Sequence, residues 1–271
     1  MNGLTGNLIG RGVQGAVYDA NPIYGEYLAS STPGPFVVKV IDYEAQGGIL
    51  YNNNVHDDII HKLTVYETIH NHKPSHVLPC LHWTVYFNER FNLDSSVNSI
   101  KQVRTIPVRK LSMAFPKLEG VLWDETIAMS PLNRKDVCLQ LIGVLRSLHA
   151  IEITHDDLHL KNIMYTKNAR GYYVIWVIDM DYANYSGSID RDYRYLVNNI
   201  TLILYGEFFR SCERIKYKPD LYNCLRVIKD RSNGTVMRVN AFNQLNRILS
   251  TTVFSEEELF WGDKSQIIGS I

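Results

Sequence analysis

Thr154-His155-Asp156-Asp157-Leu158-His159-Leu160-Lys161-Asn162, read together with the Asp179 that closes the apolar run Val174-Ile175-Trp176-Val177-Ile178, decides how this chain is to be understood. An Asp, an Asn shortly after it and a second Asp ending a buried strand can supply one proton acceptor and two oxygen ligands for Mg²⁺ around a nucleotide's phosphates. The chemistry implied is phosphoryl transfer, with Asp157 as the proton acceptor and Asn162 and Asp179 as the metal ligands.

The N-terminus leads to the same chemistry by a separate route. Ile9-Gly10-Arg11-Gly12-Val13-Gln14-Gly15-Ala16-Val17 reads Gly-x-Gly-x-x-Gly-x-Val between two strand-like segments. Glycines in a tight hairpin let the backbone approach phosphates without Cβ clashes. The same spacing occurs in dinucleotide-binding folds, but there it leads from a strand into a helix. Ala16-Val17-Tyr18 favours a second strand, and so the hairpin form of the motif. Further on, Phe36-Val37-Val38-Lys39-Val40-Ile41 is a β-branched run with one Lys in its middle. Burying that Lys is costly unless its charge finds a partner, which bound phosphates would supply. The alternative is an edge strand with an outward Lys.

Taken in order, these segments resemble the protein-kinase-like superfamily over roughly residues 5 to 206. Gly10, Gly12 and Gly15 match the glycine-rich loop, Lys39 the β3 lysine, Asp157 the catalytic aspartate, Asn162 the catalytic-loop asparagine, and Asp179 the first residue of Asp-Phe-Gly. The helical pattern of Val137 to His149 resembles the helix that delivers the catalytic loop, and Met113-Ala114-Phe115-Pro116-Lys117-Leu118-Glu119-Gly120 resembles the hinge between lobes. The resemblance implies an α+β, two-lobed kinase-like fold. It would have a small antiparallel N-lobe sheet with one helix (residues 1–115), a hinge (116–120) and a mainly helical C-lobe (121–271). It implies ATP and Mg²⁺ as cofactors, with Gly10, Gly12, Gly15, Val17, Val38, Lys39, Met113 and Phe115 around the nucleotide. Asp157 and Lys39 are the implied catalytic residues.

Departures from the family pattern shape the expectation. Asp156 stands where regulated kinases carry the Arg of His-Arg-Asp, which argues against a switch by loop phosphorylation. His159 replaces the usual Lys, and Asp-Leu-His-x-x-Asn is similar instead to haspin-type kinases, aminoglycoside and choline phosphotransferases and several large-DNA-virus kinases. Asp179-Met180-Asp181 keeps the metal carboxylate but lacks the switch glycine, and no Ala-Pro-Glu follows, so the activation segment is truncated. Compact size and divergent motifs resemble viral or bacterial-effector kinases. Asp192 resembles the Asp that braces the catalytic loop, and reads equally well as a helix N-terminal acid. In the N-lobe helix the family's Glu position falls on Lys62; Asp58 and Glu67 are the available acids for Lys39, and surface charge is the expected role of both.

Composition is compatible with all of this. The chain has 271 residues, 45% of them hydrophobic, with 28 basic and 28 acidic residues, enough for one two-lobed domain and with no charge excess that marks nucleic acid as a partner. No apolar run approaches the ~18 residues of a membrane span, and without a secretory profile an intracellular location is expected. Cys80, Cys138, Cys212 and Cys224 lack metal-ligand spacing, and His70, His72 and His76 read as a solvated turn. Strands are expected near 6–12, 15–20, 35–41, 77–87 and 103–113, and a helix near 55–70. Polar insertions are expected at 21–35 and 88–99 as mobile surface loops, then helices near 122–130, 134–150, 191–206, 207–229 in pieces and 238–250. The expected activity is transfer of a γ-phosphoryl group to a Ser or Thr of a protein. The alternatives are a small-molecule phosphotransferase and a pseudokinase that acts by binding a partner.

Overall fold

In a computed structural model of the chain, residues 6–11, 15–19, 35–43, 54–87, 92–94, 100, 108–126, 128–185, 187–255 and 258–259 are described. The backbone divides into two compact units, one of residues 1–73 and 78–117 and the other of 74–77 and 118–271.

The first unit carries an antiparallel sheet of β1 (Leu8–Arg11), β2 (Ala16–Asp19), β3 (Phe36–Asp42), β4 (His82–Tyr86), β5 (Asn92–Asp94) and β6 (Lys110–Pro116), in the order β1-β2-β3-β6-β4-β5. Its one long helix, α1 (Val55–His72), begins at Asn54, whose side chain accepts from the His56 N–H at 2.8 Å. Asp57 and Asp58 sit favourably in its first turn, and Lys73 in the left-handed conformation closes it ahead of Pro74. Ile59, Leu63, Tyr66 and Ile69 recur at helical spacing and are buried. Tyr66 meets the Phe115 ring at 5.3 Å, which sets α1 against that face of β6.

Register decides which side chains share a face of this sheet. Val17, Lys39, Met113 and Trp83 lie in one row across β2, β3, β6 and β4. Strand alternation sends Phe36 and Val38 the other way, where they are buried with Ala114 and flanked by Val40 and Leu81.

The second unit opens with β7 (Gly120–Val121) and α2 (Leu122–Glu125), then α3 (Pro131–His149), β8 (Ile153–Thr154), β9 (Ile163–Lys167), β10 (Tyr173–Val177) and β11 (Asn184–Tyr185). It finishes with α4 (Asp190–Tyr205), α5 (Pro219–Lys229) and α6 (Gly234–Thr251). Strands β10, β9 and β7 form one small sheet, and β11 pairs with β8. Helix α3 starts at the Ser130 cap with Pro131 in its first turn and buries Val137, Leu141, Ile142, Leu145 and Leu148 against the rest of the unit. Helix α4 buries Leu196, Val197, Ile200 and Ile203 and ends on Gly206, which takes φ 73° as the left-handed cap.

The α+β expectation holds: an antiparallel N-terminal sheet is followed by a mostly helical C-terminal part. Several boundaries differ. The strand expected at 103–113 is β6 at 110–116, so Met113 to Pro116 are ladder residues and the connector is confined to 117–119; residues 101–107 lie outside the described residues. The strand expected at 77–87 begins only at His82, because Pro79 cannot donate to a ladder, and Val77 bridges to Val177 of β10 instead. Within the 88–99 insertion, residues 92–94 form β5, while the rest of it and residues 21–34 lie outside the described residues. Helix α2 is a single turn rather than 122–130; Thr126 Oγ1 caps back onto the Trp123 carbonyl as the helix stops. Among the described residues no helix is long and apolar enough to cross a membrane.

Candidate functional site

The loop between β8 and β9 carries Asp156 to Asn162, and one buried carboxylate fixes its shape. Asp192 lies in the first turn of α4 with no exposed surface. Its Oδ2 accepts from the His155 N–H at 3.1 Å and makes a 2.9 Å hydrogen bond with His149 Nε2; its Oδ1 accepts from the Asp156 N–H at 2.9 Å. Of the two readings of Asp192, these bonds support the brace. Asn199, two turns along α4, donates from Nδ2 to the Leu158 carbonyl at 2.7 Å and holds the other side of the loop.

The brace holds Asp156 in the left-handed conformation, φ 62°, which an Asp tolerates better than most residues and which turns the chain so that Asp157 projects next. Burial, and then repulsion from Asp192, push the Asp156 carboxyl above the usual carboxylate range, with Arg191 and a Thr154 hydrogen bond opposing.

Both carboxylate oxygens of Asp157 are oriented. Oδ1 accepts from the Tyr195 hydroxyl at 3.1 Å, and Oδ2 accepts from Asn162 Nδ2 at 3.2 Å, with His159 Nε2 at 3.5 Å. Burial and the adjacent Asp157 charge raise the Tyr195 phenol, which keeps it a donor. Each carboxylate oxygen has two lone-pair directions, so these contacts leave room for a further donor. The Asn162 amide also donates to the Asp157 carbonyl at 2.9 Å. With its nitrogen so committed, the amide oxygen is the atom left to face a ligand.

Asp179 is tied to the same loop through its neighbour. The Ile178 N–H donates to the Asn162 carbonyl at 3.0 Å, and the Ile178 carbonyl bonds His155 Nε2 at 3.0 Å. His155 Nδ1 accepts from the Asp157 N–H at 3.2 Å, which fixes the ring as the neutral Nε2–H tautomer. Asp179 itself is a second left-handed Asp, φ 61°, and opens the single turn Met180–Tyr182. Only residues 183–189 separate that turn from α4, and two of them pair with β8. An amide oxygen and a carboxylate suit Mg²⁺, a hard cation that commonly takes one or two protein oxygens and completes its shell with water and phosphate. Among the described residues no group of three or more His, Cys, Asp or Glu forms a metal cluster.

Beside Asp157 lies an open pocket of about 440 Å³, lined by Asp156, Asp157, Tyr182, Arg191, Arg194 and Tyr195. Sequence reading passed over Tyr195, Arg191, Arg194 and Asn199. Their signal was present: Asp192, Tyr195 and Asn199 follow helical spacing on α4, so a brace at Asp192 puts the other two near the loop.

In the first unit, Val17, Lys39 and Met113 share a sheet face, and Phe115 lies on that face against α1. Val38 does not; it is buried on the opposite face, and the neighbour that alternation places beside Lys39 is Val37. Gly15 is required by the sheet: a Cβ there would stand 2.6 Å from the Val40 carbonyl oxygen. Gly10 would accept a side chain without contact, and Gly12 lies outside the described residues. Lys62, at the position where the resemblance asks for an acid, is buried and ion-paired at 2.5 Å with Asp58, which also accepts from the Tyr43 hydroxyl at 2.9 Å. Asp58 is thus interior, contrary to the surface role expected for it; Glu67 is exposed.

Neither family models nor curated proteins give a match for the chain.

Proposed function

We propose that this protein is an ATP- and Mg²⁺-dependent phosphotransferase that moves a γ-phosphoryl group to a hydroxyl, with Ser or Thr of a protein as the acceptor. The observation that carries the reading is the Asp157 carboxylate, oriented from both sides by Tyr195 and Asn162, on a loop fixed by Asp192 and bordering an open pocket. In this reading Asp157 accepts or orients the proton of the acceptor hydroxyl, and Tyr195 and Asn162 hold the carboxylate so that little reorganisation is needed when the proton moves. Asn162 and Asp179 would hold Mg²⁺, which when bound neutralises charge on the phosphate oxygens. The roles of Lys39 and the glycine hairpin with the phosphates rest on the kinase resemblance.

The chemistry of the pocket weighs against an aminated small-molecule acceptor, because Arg191 and Arg194 share its lining with Asp157. A second reading, a binding protein built on a kinase-like scaffold, is favoured by one observation, the basic Lys62 at the helix position where the family carries an acid.

The test is transfer from labelled ATP with Mg²⁺ by wild type and Asp157→Ala, offered the protein itself and a generic protein substrate. Loss of transfer in the variant with ATP binding retained is the expected result. Transfer that survives the substitution overturns the assignment of Asp157, and no transfer by wild type moves the protein to the binding reading.

A further inference from the structure

Charges around the pocket beside Asp157 are segregated. Both acids, Asp156 and Asp157, belong to the loop. Facing it, Arg191 and Arg194 are exposed on α4, where Arg191 acts on Asp156 through charge alone. Asn198 continues the same α4 stripe, and its Oδ1 accepts from Lys229 Nζ at 3.4 Å. Lys229 packs its ammonium 5.1 Å from the centre of the Phe209 ring. Burial lowers its pKa, and the nearby Arg210 and Arg194 lower it further. Arg191 and Arg194 of the lining and Lys229 behind Asn198 therefore gather at one end of the site, where Asp156 offsets Arg191 in part, whereas Arg238 and Arg231 of the same unit are both ion-paired with Asp190. Like charges held together are unfavourable until an anion arrives.

We infer that the acceptor is a Ser or Thr in an acidic protein segment, its hydroxyl at Asp157 and its anionic side chains on the end of the pocket lined by Arg191 and Arg194 and backed by Lys229. This rests on the phosphotransferase reading for the hydroxyl, but the anionic specificity follows from the cations alone. Along α4 the step from Tyr195, which touches Asp157, to Asn198, which holds Lys229, is about 4.5 Å of helix rise. An extended peptide advances about 3.3–3.6 Å per residue. The acidic residue is accordingly one to three positions from the acceptor.

The experiment uses the full chain and peptides carrying a central Ser with Glu, Gln or Lys at the two flanking positions on each side. Binding is read by fluorescence anisotropy at two salt concentrations, and transfer from labelled ATP is read in parallel. The Glu peptide should bind wild type at least about tenfold more tightly than the Gln peptide, since each exposed pair is worth up to about fivefold, and the advantage should shrink with salt. Arg191→Glu with Arg194→Glu should erase or invert that order, and the milder Arg194→Ala should weaken it with the fold intact by circular dichroism. Equal binding of Glu and Gln peptides, or a preference that survives the charge reversal, overturns the inference. The two readings separate cleanly. Acidic preference in binding with no transfer by wild type refutes the phosphotransferase and leaves the anionic surface standing, whereas transfer without acidic preference does the reverse.

Discussion

Replacing Asp192 tests whether the loop that carries Asp157 is held by one carboxylate. The side chain is fully buried and makes three hydrogen bonds, to two loop amides and to His149. Bonds to a charged acceptor contribute about 1.5–3 kcal/mol each, and a buried amide left without a partner costs about 1–3 kcal/mol. Because the freed amides regain some solvent and the contributions overlap, we expect Asp192→Ala to lose about 4 kcal/mol, in line with the removal of one partner from a buried charged network. Asn keeps one acceptor oxygen but turns an NH₂ toward either the Asp156 N–H or the pair of donors on Oδ2, so Asp192→Asn should lose about 2 kcal/mol. Asp220, also in the first turn of a helix but exposed, is the control: if a helix-end acid were all that mattered, Asp220→Ala and Asp192→Ala would both cost less than about 1 kcal/mol. Urea unfolding at constant m gives the numbers. In phosphoryl transfer, any folded Asp192→Asn protein should fall by about 10²-fold in kcat through misplacement of Asp157. An Asp192→Ala loss below about 1 kcal/mol, equal to that of Asp220→Ala, would refute the brace.

Three other outcomes follow from the same geometry. A carboxyl whose folded pKa is raised, as that of Asp156 is, contributes stability that is complete below its unfolded value near about 3.9 and lost as pH rises through the folded value. Asp156→Asn, which suits the left-handed backbone, should therefore be more stable than wild type at pH 7 by urea midpoint, with the gap closing toward pH 4; a variant less stable at pH 7 contradicts the burial argument. Lys62→Met removes the cation paired with the buried Asp58 carboxylate and should cost about 3–5 kcal/mol in the same assay, whereas a surface pair would cost under about 1 kcal/mol. On the proposed phosphotransferase reading, Asp179→Asn should remove a Mg²⁺ dependence of nucleotide affinity seen in wild type by calorimetric titration, and an unchanged dependence excludes Asp179 as a ligand.

Local pattern was legible where chemistry and periodicity are local. Asp157, Asn162 and the strand leading to Asp179 lie in short, strongly marked segments, and the β-branched run around Lys39 is β3. What the sequence hid was set by partners far along the chain. Alternation alone puts Val38 and Lys39 on opposite faces, but which of the two faces carries the buried Ala114 cluster is shown only by the pairing with β6. Asp58 reads as a surface acid until Lys62 and Tyr43 are seen to enclose it. Tyr195 and the two arginines sit on a helix whose relation to the loop follows from Asp192, which the sequence offered equally as a brace and as a helix-end acid, and only its bonds to His155 and Asp156 decide between the two.

The segment 74–77 belongs to the second unit although the chain on both sides of it belongs to the first. It is sewn to β10 by the Val77–Val177 bridge, by the Val177 N–H to the His76 carbonyl at 2.8 Å and by His76 Nδ1 to the Ile175 carbonyl at 3.1 Å. Dissection of the molecule is constrained by this. A cut near residue 117 yields a C-terminal fragment that looks complete in sequence but has lost the segment bridged to the outer edge of β10. An uncovered edge invites pairing with another copy, so such a fragment should self-associate, and supplying a peptide spanning 74–77 in trans is the remedy to try before any shorter expression product is judged inactive.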